Sequence, residues 1–265
     1  MLKTRTYGDS GSWVVLLHGG PAAWGYLSPV AEVLAEKFRV LEPFQRTGPG
    51  HPIKVSDHIA DLEEVIRHFC PAEKVTLLGH SWGAMLALAY AAFSQKRLNS
   101  LVLVGCGAFD LTSRELMQRT LKKRMTQDLQ KKLNALNQKN GDPDRNLAAM
   151  GLAIRPLYCL DARPQPELPQ CNAMTHHETW QDMLKCQEKR IYPQAFACID
   201  LPAIMLHGEY DPHPGREIHR ELKKYIPHME FRQWQDCGHD PWLEKRVSRD
   251  FYDLLIRWLS EKSQT

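Results

Sequence analysis

One serine in this chain stands where its hydroxyl could do chemistry. Val75-Thr76-Leu77-Leu78 is a short apolar, partly β-branched run, Gly79-His80-Ser81-Trp82-Gly83 a glycine-bracketed serine, and Ala84-Met85-Leu86-Ala87-Leu88-Ala89-Tyr90 an alanine- and leucine-rich stretch of strong helix propensity. The reading is strand, sharp turn, helix. A serine held in that turn is pushed out beyond the strand, and glycines at 79 and 83 let the two backbones approach without a Cβ clash. A serine hydroxyl is a weak nucleophile at neutral pH and needs an imidazole to take its proton. His239 is the candidate base and Asp211 the carboxylate that orients it, since both follow strand-like runs and complete the chain order Ser, Asp, His. Attack by Ser81 on a carbonyl creates an oxyanion that needs two preset donors; the backbone N–H groups of Gly20 and Trp82 are the candidates. Asp110 is a rival acid, Glu209 and Asp240 are close neighbours, and His80 and His207 read as structural. The pair His176-His177 has no ligand-spaced partner, so no metal and no cofactor is expected.

These residues need a frame that carries them to one edge. Trp13-Val14-Val15-Leu16-Leu17 is a continuous apolar run ending in His18-Gly19-Gly20-Pro21; Phe38 to Leu41, Lys74 to Leu78, Ser100 to Gly105, Ala203 to Leu206 and Met229 to Trp234 supply further strands. Helical patterns separate them: Gly25 to Lys37, a helix N-capped by Ser56 with Leu62, Val65, Ile66 and Phe69 buried, Gly215 to Tyr225, and Arg246 to Leu259. Strands alternating with helices predict a mostly parallel sheet with helices on both faces, whose functional crevice lies at the strands' carboxyl ends. The alternation stops at Ala108 and resumes near Asp200. The intervening stretch holds no convincing buried strand; it opens with one long amphipathic helix through Met117, Leu121, Met125, Leu129, Leu133 and Leu136, closes that helix at Asn140-Gly141-Asp142-Pro143, and continues as short helices punctuated by Pro156, Pro164, Pro166, Pro169 and Pro193. It reads as a lid, giving a core of residues 1–107 and 201–265 and a lid of residues 108–200.

Composition narrows the class. The 265 residues are 43% hydrophobic and 25% charged, which is enough apolar material for a sizeable core and argues against disorder. Seven cysteines make an odd count with no Cys-x-x-Cys pair, as expected for reduced thiols. No apolar run is long enough to span a bilayer and the first residues lack a secretion-type stretch, so a cytoplasmic protein with no membrane partner is expected. A net charge of +3 gives no reason to invoke nucleic acid. Residues 111–140 nevertheless hold eight Lys or Arg against Glu115 and Asp128, a solvated helix face or an attraction for an acidic substrate or partner. The sequence leaves oligomeric state open.

His18-Gly19-Gly20-Pro21, the elbow at Gly79 to Gly83, His207-Gly208-Glu209-Tyr210-Asp211 and Gly238-His239 together resemble the α/β-hydrolase superfamily. The resemblance implies an α/β-hydrolase fold with an inserted, mainly helical lid, a triad of Ser81, Asp211 and His239, and an oxyanion hole at Gly20 and Trp82. Serine followed by tryptophan, with His-Gly-Gly-Pro, is most similar to the proline iminopeptidase-like branch. That branch has a further glycine where this chain has Ala22, and Asp-Gln-Arg-Gly where this chain has Phe44-Gln45-Arg46-Thr47. The expected activity is hydrolysis of a small-molecule carboxylic ester or thioester. A prolyl-type aminopeptidase is the alternative and would need lid carboxylates such as Glu167, Glu178, Asp182 or Glu188 to hold an amino terminus; a small-molecule receptor with vestigial turnover is a third reading.

Overall fold

A computed structural model describes residues 1–48, 51–138, 141–165 and 169–262. In chain order the elements are β1 (Thr4–Tyr7), β2 (Trp13–Leu17), β3 (Ala23–Trp24), α1 (Ser28–Leu34), β4 (Arg39–Pro43), α2 (Val55–Phe69), β5 (Val75–His80), α3 (Trp82–Phe93) and β6 (Leu98–Val104). Next come α4 (Leu111–Arg124), α5 (Gln127–Gln138), α6 (Pro143–Tyr158), β7 (Gln170–Cys171) and α7 (Ala173–Glu188). The chain ends with β8 (Ala203–Gly208), α8 (Gly215–Leu222), β9 (Glu230–Trp234) and α9 (Ser248–Lys262). Seven strands form one sheet in the order β1-β4-β2-β5-β6-β8-β9, parallel throughout except for the antiparallel edge strand β1.

The alternation of side chains across this sheet builds two cores. Val15, Leu17, Leu77, Leu101, Leu103 and Met205 face a layer containing α2, α3 and α8, while Val14, Leu16, Leu78, Val102, Val104, Ile204 and Leu206 face α1 and α9. Strands buried on both faces have no polar side to alternate with, which is why they read as unbroken apolar runs. α3 is almost wholly buried, and its small residues let it lie close to β5 and β6. Gly79 and Gly83 perform the packing expected of them: a Cβ on Gly79 would sit 2.2 Å from the Gly83 carbonyl oxygen, and one on Gly83 would sit 1.9 Å from that of Leu17.

The insertion departs from its expected form in one place. The single long helix is two, because Met125 turns extended after α4 and the Thr126 hydroxyl accepts from the Leu129 N–H to begin α5. No buried strand is found there among the described residues, as expected; the two-residue β7, exposed to half-buried, pairs antiparallel with β3 and fastens the insertion to the segment just after Gly20. Ser56 is not an N-cap. α2 starts at Val55, and its first donors are met by Asp57, which accepts from the Lys54 N–H, and by two carboxylates of α7: Glu178 accepts from Ile53 N–H at 3.0 Å and Asp182 from Val55 N–H at 2.9 Å. Pro49, Gly50, Asn140, Pro166 and Glu167 lie outside the described residues. Among the described residues no helix is long and apolar enough to cross a membrane.

Candidate active site

The carboxyl edge of the sheet gathers the expected residues. Ser81 follows β5 at φ 56° and ψ −117°, a left-handed backbone setting that a serine adopts only under constraint. The constraint comes from its own N–H, which donates to the Val104 carbonyl at 2.8 Å, and from α3, which begins at the next residue. Asp211 lies three residues beyond β8 and His239 five beyond β9. Asp211 is buried, and the His239 Nδ1–H donates to its Oδ2 at 2.6 Å. With Nδ1 so engaged, Nε2 is the basic atom of the ring, and among the described residues it has no hydrogen-bond partner; nor has the Ser81 Oγ. The structure thus joins His239 to Asp211 directly, and the ring of His80, the residue before Ser81, lies 4.5 Å from the His239 ring between centroids.

Three imidazoles surround the Asp211 carboxylate. His213 donates to Oδ1 through both its backbone N–H, at 2.9 Å, and its Nδ1–H, at 2.8 Å, and stacks on His239 at 4.9 Å; His207 Nε2 lies 3.2 Å from Oδ2. Burial opposes ionisation of Asp211, but these partners outweigh it and hold the carboxyl well below its usual range. Burial likewise works against charge on His239, and Asp211 and then Asp240 overcome it to raise the imidazole above its ordinary value. Sequence reasoning missed His213, which stands only two residues past Asp211. Asp211, His213 and His239 place one ligand-type atom each within 4.8 Å of one another, whereas His176-His177 joins no such group among the described residues.

Asp110, the rival acid, instead caps α4, accepting from the Ser113 N–H at 2.8 Å. Asp240 approaches His80 Nε2 at 3.5 Å and receives the Cys159 thiol; burial raises its carboxyl above the usual range.

The two candidate oxyanion donors belong to segments clasped by one side chain. Gln45 donates its amide to the His18 carbonyl at 2.9 Å and accepts the Trp82 indole N–H at 2.9 Å, while its backbone N–H donates to His18 Nε2 at 3.0 Å. The last bond makes Nε2 an acceptor, so Nδ1 holds the proton, and burial pushes the His18 pKa down to about 4. Gly20 is at φ 95°, and among the described residues its N–H donates no hydrogen bond. Trp82, as the first residue of α3, has no carbonyl four residues back within its helix. Ala22 stands at φ 59°, a left-handed position that explains why a glycine suits this place in the similar branch.

The insertion closes on this edge. The His239 N–H donates to the Tyr158 carbonyl at 2.9 Å, and the Tyr158 ring meets the His239 ring edge-on at 5.5 Å. Arg124 donates to the carbonyls of Leu157 and Tyr210, both at 2.6 Å, and lies 3.7 Å over the Tyr210 ring. This cation of the basic stretch is therefore a structural tie, whereas Arg119, Lys122, Lys123, Lys131 and Lys132 are exposed. A cavity of about 490 Å³ between α8 and β9 is lined by Arg216, His219, Arg220, Lys223, Phe231 and Gln233, none of them a candidate site residue.

A sheet of this order with a serine elbow, an acid after β8 and a histidine after β9 defines a class, and comparison with known proteins agrees. A sequence model described as alpha/beta hydrolase fold matches residues 12–246, and the chain belongs to that family. Among curated relatives it is 28% identical over 109 residues to a cis-3-alkyl-4-alkyloxetan-2-one decarboxylase of Shewanella oneidensis, a match covering 38% of this chain and only 34% of that one. It is 24% identical over 272 residues to a proline iminopeptidase of Lactobacillus crispatus, covering 94% of this chain and 90% of the relative. In structure it is similar to a thermophilic esterase of Thermogutta terrifontis, at 18% identity and a TM-score of 0.71 over 99% of this chain and 94% of the other.

Proposed function

We propose that this protein is a serine hydrolase that cleaves a small-molecule carboxylic ester or thioester through an acyl-enzyme. The observation that carries the reading is the 2.6 Å bond from His239 Nδ1 to buried Asp211, which leaves Nε2 available as a base, at the same sheet edge as a serine held at φ 56°. In the reaction, Nε2 takes the Ser81 proton as Oγ attacks the carbonyl, and Asp211 stabilises the imidazolium. The N–H groups of Gly20 and Trp82 receive the oxyanion. Collapse expels the alcohol or thiol with the proton from His239, and water repeats the sequence to release the acid. Residues 108–200 act as the cap that selects the substrate, and a cytoplasmic enzyme needing no cofactor fits this reading.

The Lactobacillus relative's name favours the second reading, a prolyl-type aminopeptidase on the same residues. Against it, Glu178 is committed to the Ile53 N–H just before α2 and Asp182 to the Val55 N–H at its start, and Glu188 is exposed. The test is a panel of short-chain aryl esters, thioesters and proline aryl amides. Esters or thioesters should be turned over at the higher kcat/KM, and Ser81→Ala should abolish both turnover and fluorophosphonate labelling. A better proline amide would install the aminopeptidase reading; binding of small molecules with no turnover of any panel member would install the receptor reading; persistent labelling of the alanine variant would remove Ser81.

A further inference from the structure

Three loops meet at the candidate site, and one buried chain of hydrogen bonds runs through all three. The Gly19 N–H donates to the Tyr26 hydroxyl at 2.6 Å, that hydroxyl lies 2.7 Å from His80 Nδ1, and His80 Nε2 lies 3.1 Å from the His239 carbonyl oxygen. The direction of every bond follows from the two ends. A carbonyl can only accept, so His80 Nε2 carries the proton and Nδ1 is left as an acceptor. The Tyr26 hydroxyl must then donate to Nδ1 while accepting from Gly19. Burial opposes charge on both members, lowering the His80 pKa well below its ordinary value and raising that of Tyr26, so neither gains or loses a proton near neutrality.

We propose that Tyr26 and His80 are positioning residues that lock the oxyanion loop to the loop carrying the base. This rests on the serine-hydrolase reading. Gly19 immediately precedes the candidate donor Gly20, and His239 is the candidate base, so one relay holds the peptide adjoining the one that would receive negative charge and the backbone of the residue that would move the proton. Its middle lies at the nucleophile. A Cβ built on Gly19 would fall 2.7 Å from the Tyr26 hydroxyl and 2.9 Å from the Ser81 Cβ, so the glycine is what lets the hydroxyl, the loop and the serine converge. Packing alone does not require the hydroxyl: the Tyr26 ring is stacked on Trp242 at 6.4 Å and 17°, a contact phenylalanine would keep.

Tyr26→Phe therefore removes two hydrogen bonds and little else. The expected result is a kcat lower by about 10- to 100-fold, less than the roughly 10²–10³ lost with a whole oxyanion donor, with KM within twofold and the acid limb of the pH profile unmoved, because the Asp211 contact is untouched. His80→Phe, which keeps a ring at this position but can neither accept from Tyr26 nor donate to His239, should act likewise. If the two belong to one relay, the double variant is no slower than the worse single. A kcat for Tyr26→Phe within twofold of wild type, or single effects that multiply in the double variant, overturns the proposal. Nitrogen NMR of the histidine-labelled wild-type protein gives a readout that needs neither a variant nor a substrate: His80 should be neutral with its proton on Nε2 from pH 5.5 to 9. A proton on Nδ1 overturns the relay even if Ser81 proves to be the nucleophile, whereas turnover by Ser81→Ala would overturn the serine reading and leave the tautomer result standing.

Discussion

Glu244 offers a perturbation whose size can be worked out in advance. Its side chain is buried at 1% exposure, and its two oxygens accept three backbone N–H groups: Oε1 those of Leu160 at 2.8 Å and Gly238 at 2.9 Å, Oε2 that of Asp161 at 2.8 Å. Leu160 and Asp161 belong to the insertion, and Gly238 precedes His239. Glu244→Ala leaves three part-buried or buried donors without an acceptor, each costing about 1–3 kcal/mol, and water entering the vacated space recovers part of it. A loss of roughly 4 kcal/mol is expected. Glu244→Gln keeps one oxygen and turns an amide N–H₂ toward another donor, so it should lose roughly half as much. Guanidinium unfolding at pH 7.5 measures both, with m-values compared to confirm that the same transition is followed. The alanine variant should also lose turnover, since the Gly238 end of the base loop is released. A loss below 1 kcal/mol in Glu244→Ala, or a glutamine variant as unstable as the alanine one, would refute the claim that this carboxylate holds the two segments together.

Activity should rise with pH through one ionisation whose midpoint lies above 6.5, because Asp211 raises the His239 pKa and only the neutral ring can take a proton; a midpoint below 6.5 would contradict that pairing. Asp211→Asn should cost about 10⁴ in kcat while Asp110→Asn, which merely weakens the α4 cap, costs less than tenfold; steady-state kinetics of the two variants decides. Acid should destabilise the fold early. His18 and His58 are buried with pKa values lowered to about 4, so their stabilising contribution is complete above the unfolded value of 6.5 and is lost as pH falls toward 4, roughly 2 kcal/mol for each by pH 5. His239 has the opposite sign, its contribution being present below 6.5 and lost above its raised pKa, so the two titrations separate in a series of denaturant midpoints from pH 8 to 5. An unchanged midpoint over that range would show that the buried histidines are solvated.

The parts of the fold that were legible in the sequence are those where composition and period act locally. β5, the elbow and α3 could be read because a two-sided buried strand must be apolar and a helix packed on it must be small. β1 was missed because an edge strand of four residues, half-buried and exposed, has neither an apolar run nor a clear alternation. The break after Arg124 lacks glycine and proline, but Thr126 three residues before Leu129 was a cap that could have been noticed. Ser56 misled because the true caps of α2 come from α7, more than 120 residues away. The order Ser81, Asp211, His239 was visible from strand ends alone. Gln45, Tyr26 and His213 were not, since each is a single polar residue whose partners are supplied only by the tertiary fold.

The bond from the His239 N–H to the Tyr158 carbonyl bears on how such enzymes can be re-engineered. A cap that merely covers a site can be exchanged for a relative's without touching the catalytic frame. Here the end of α6 lends its backbone to the loop of the candidate base His239 and its ring to that imidazole, so a transplant ending before Tyr158 keeps the frame intact, and one crossing it exchanges part of the frame with the cap. The natural seam for grafting therefore lies in α5, beyond the Arg124 tie to the Tyr210 carbonyl, where Lys131 and Lys132 are exposed and where, among the described residues, no hydrogen bond reaches the loops carrying Asp211 or His239.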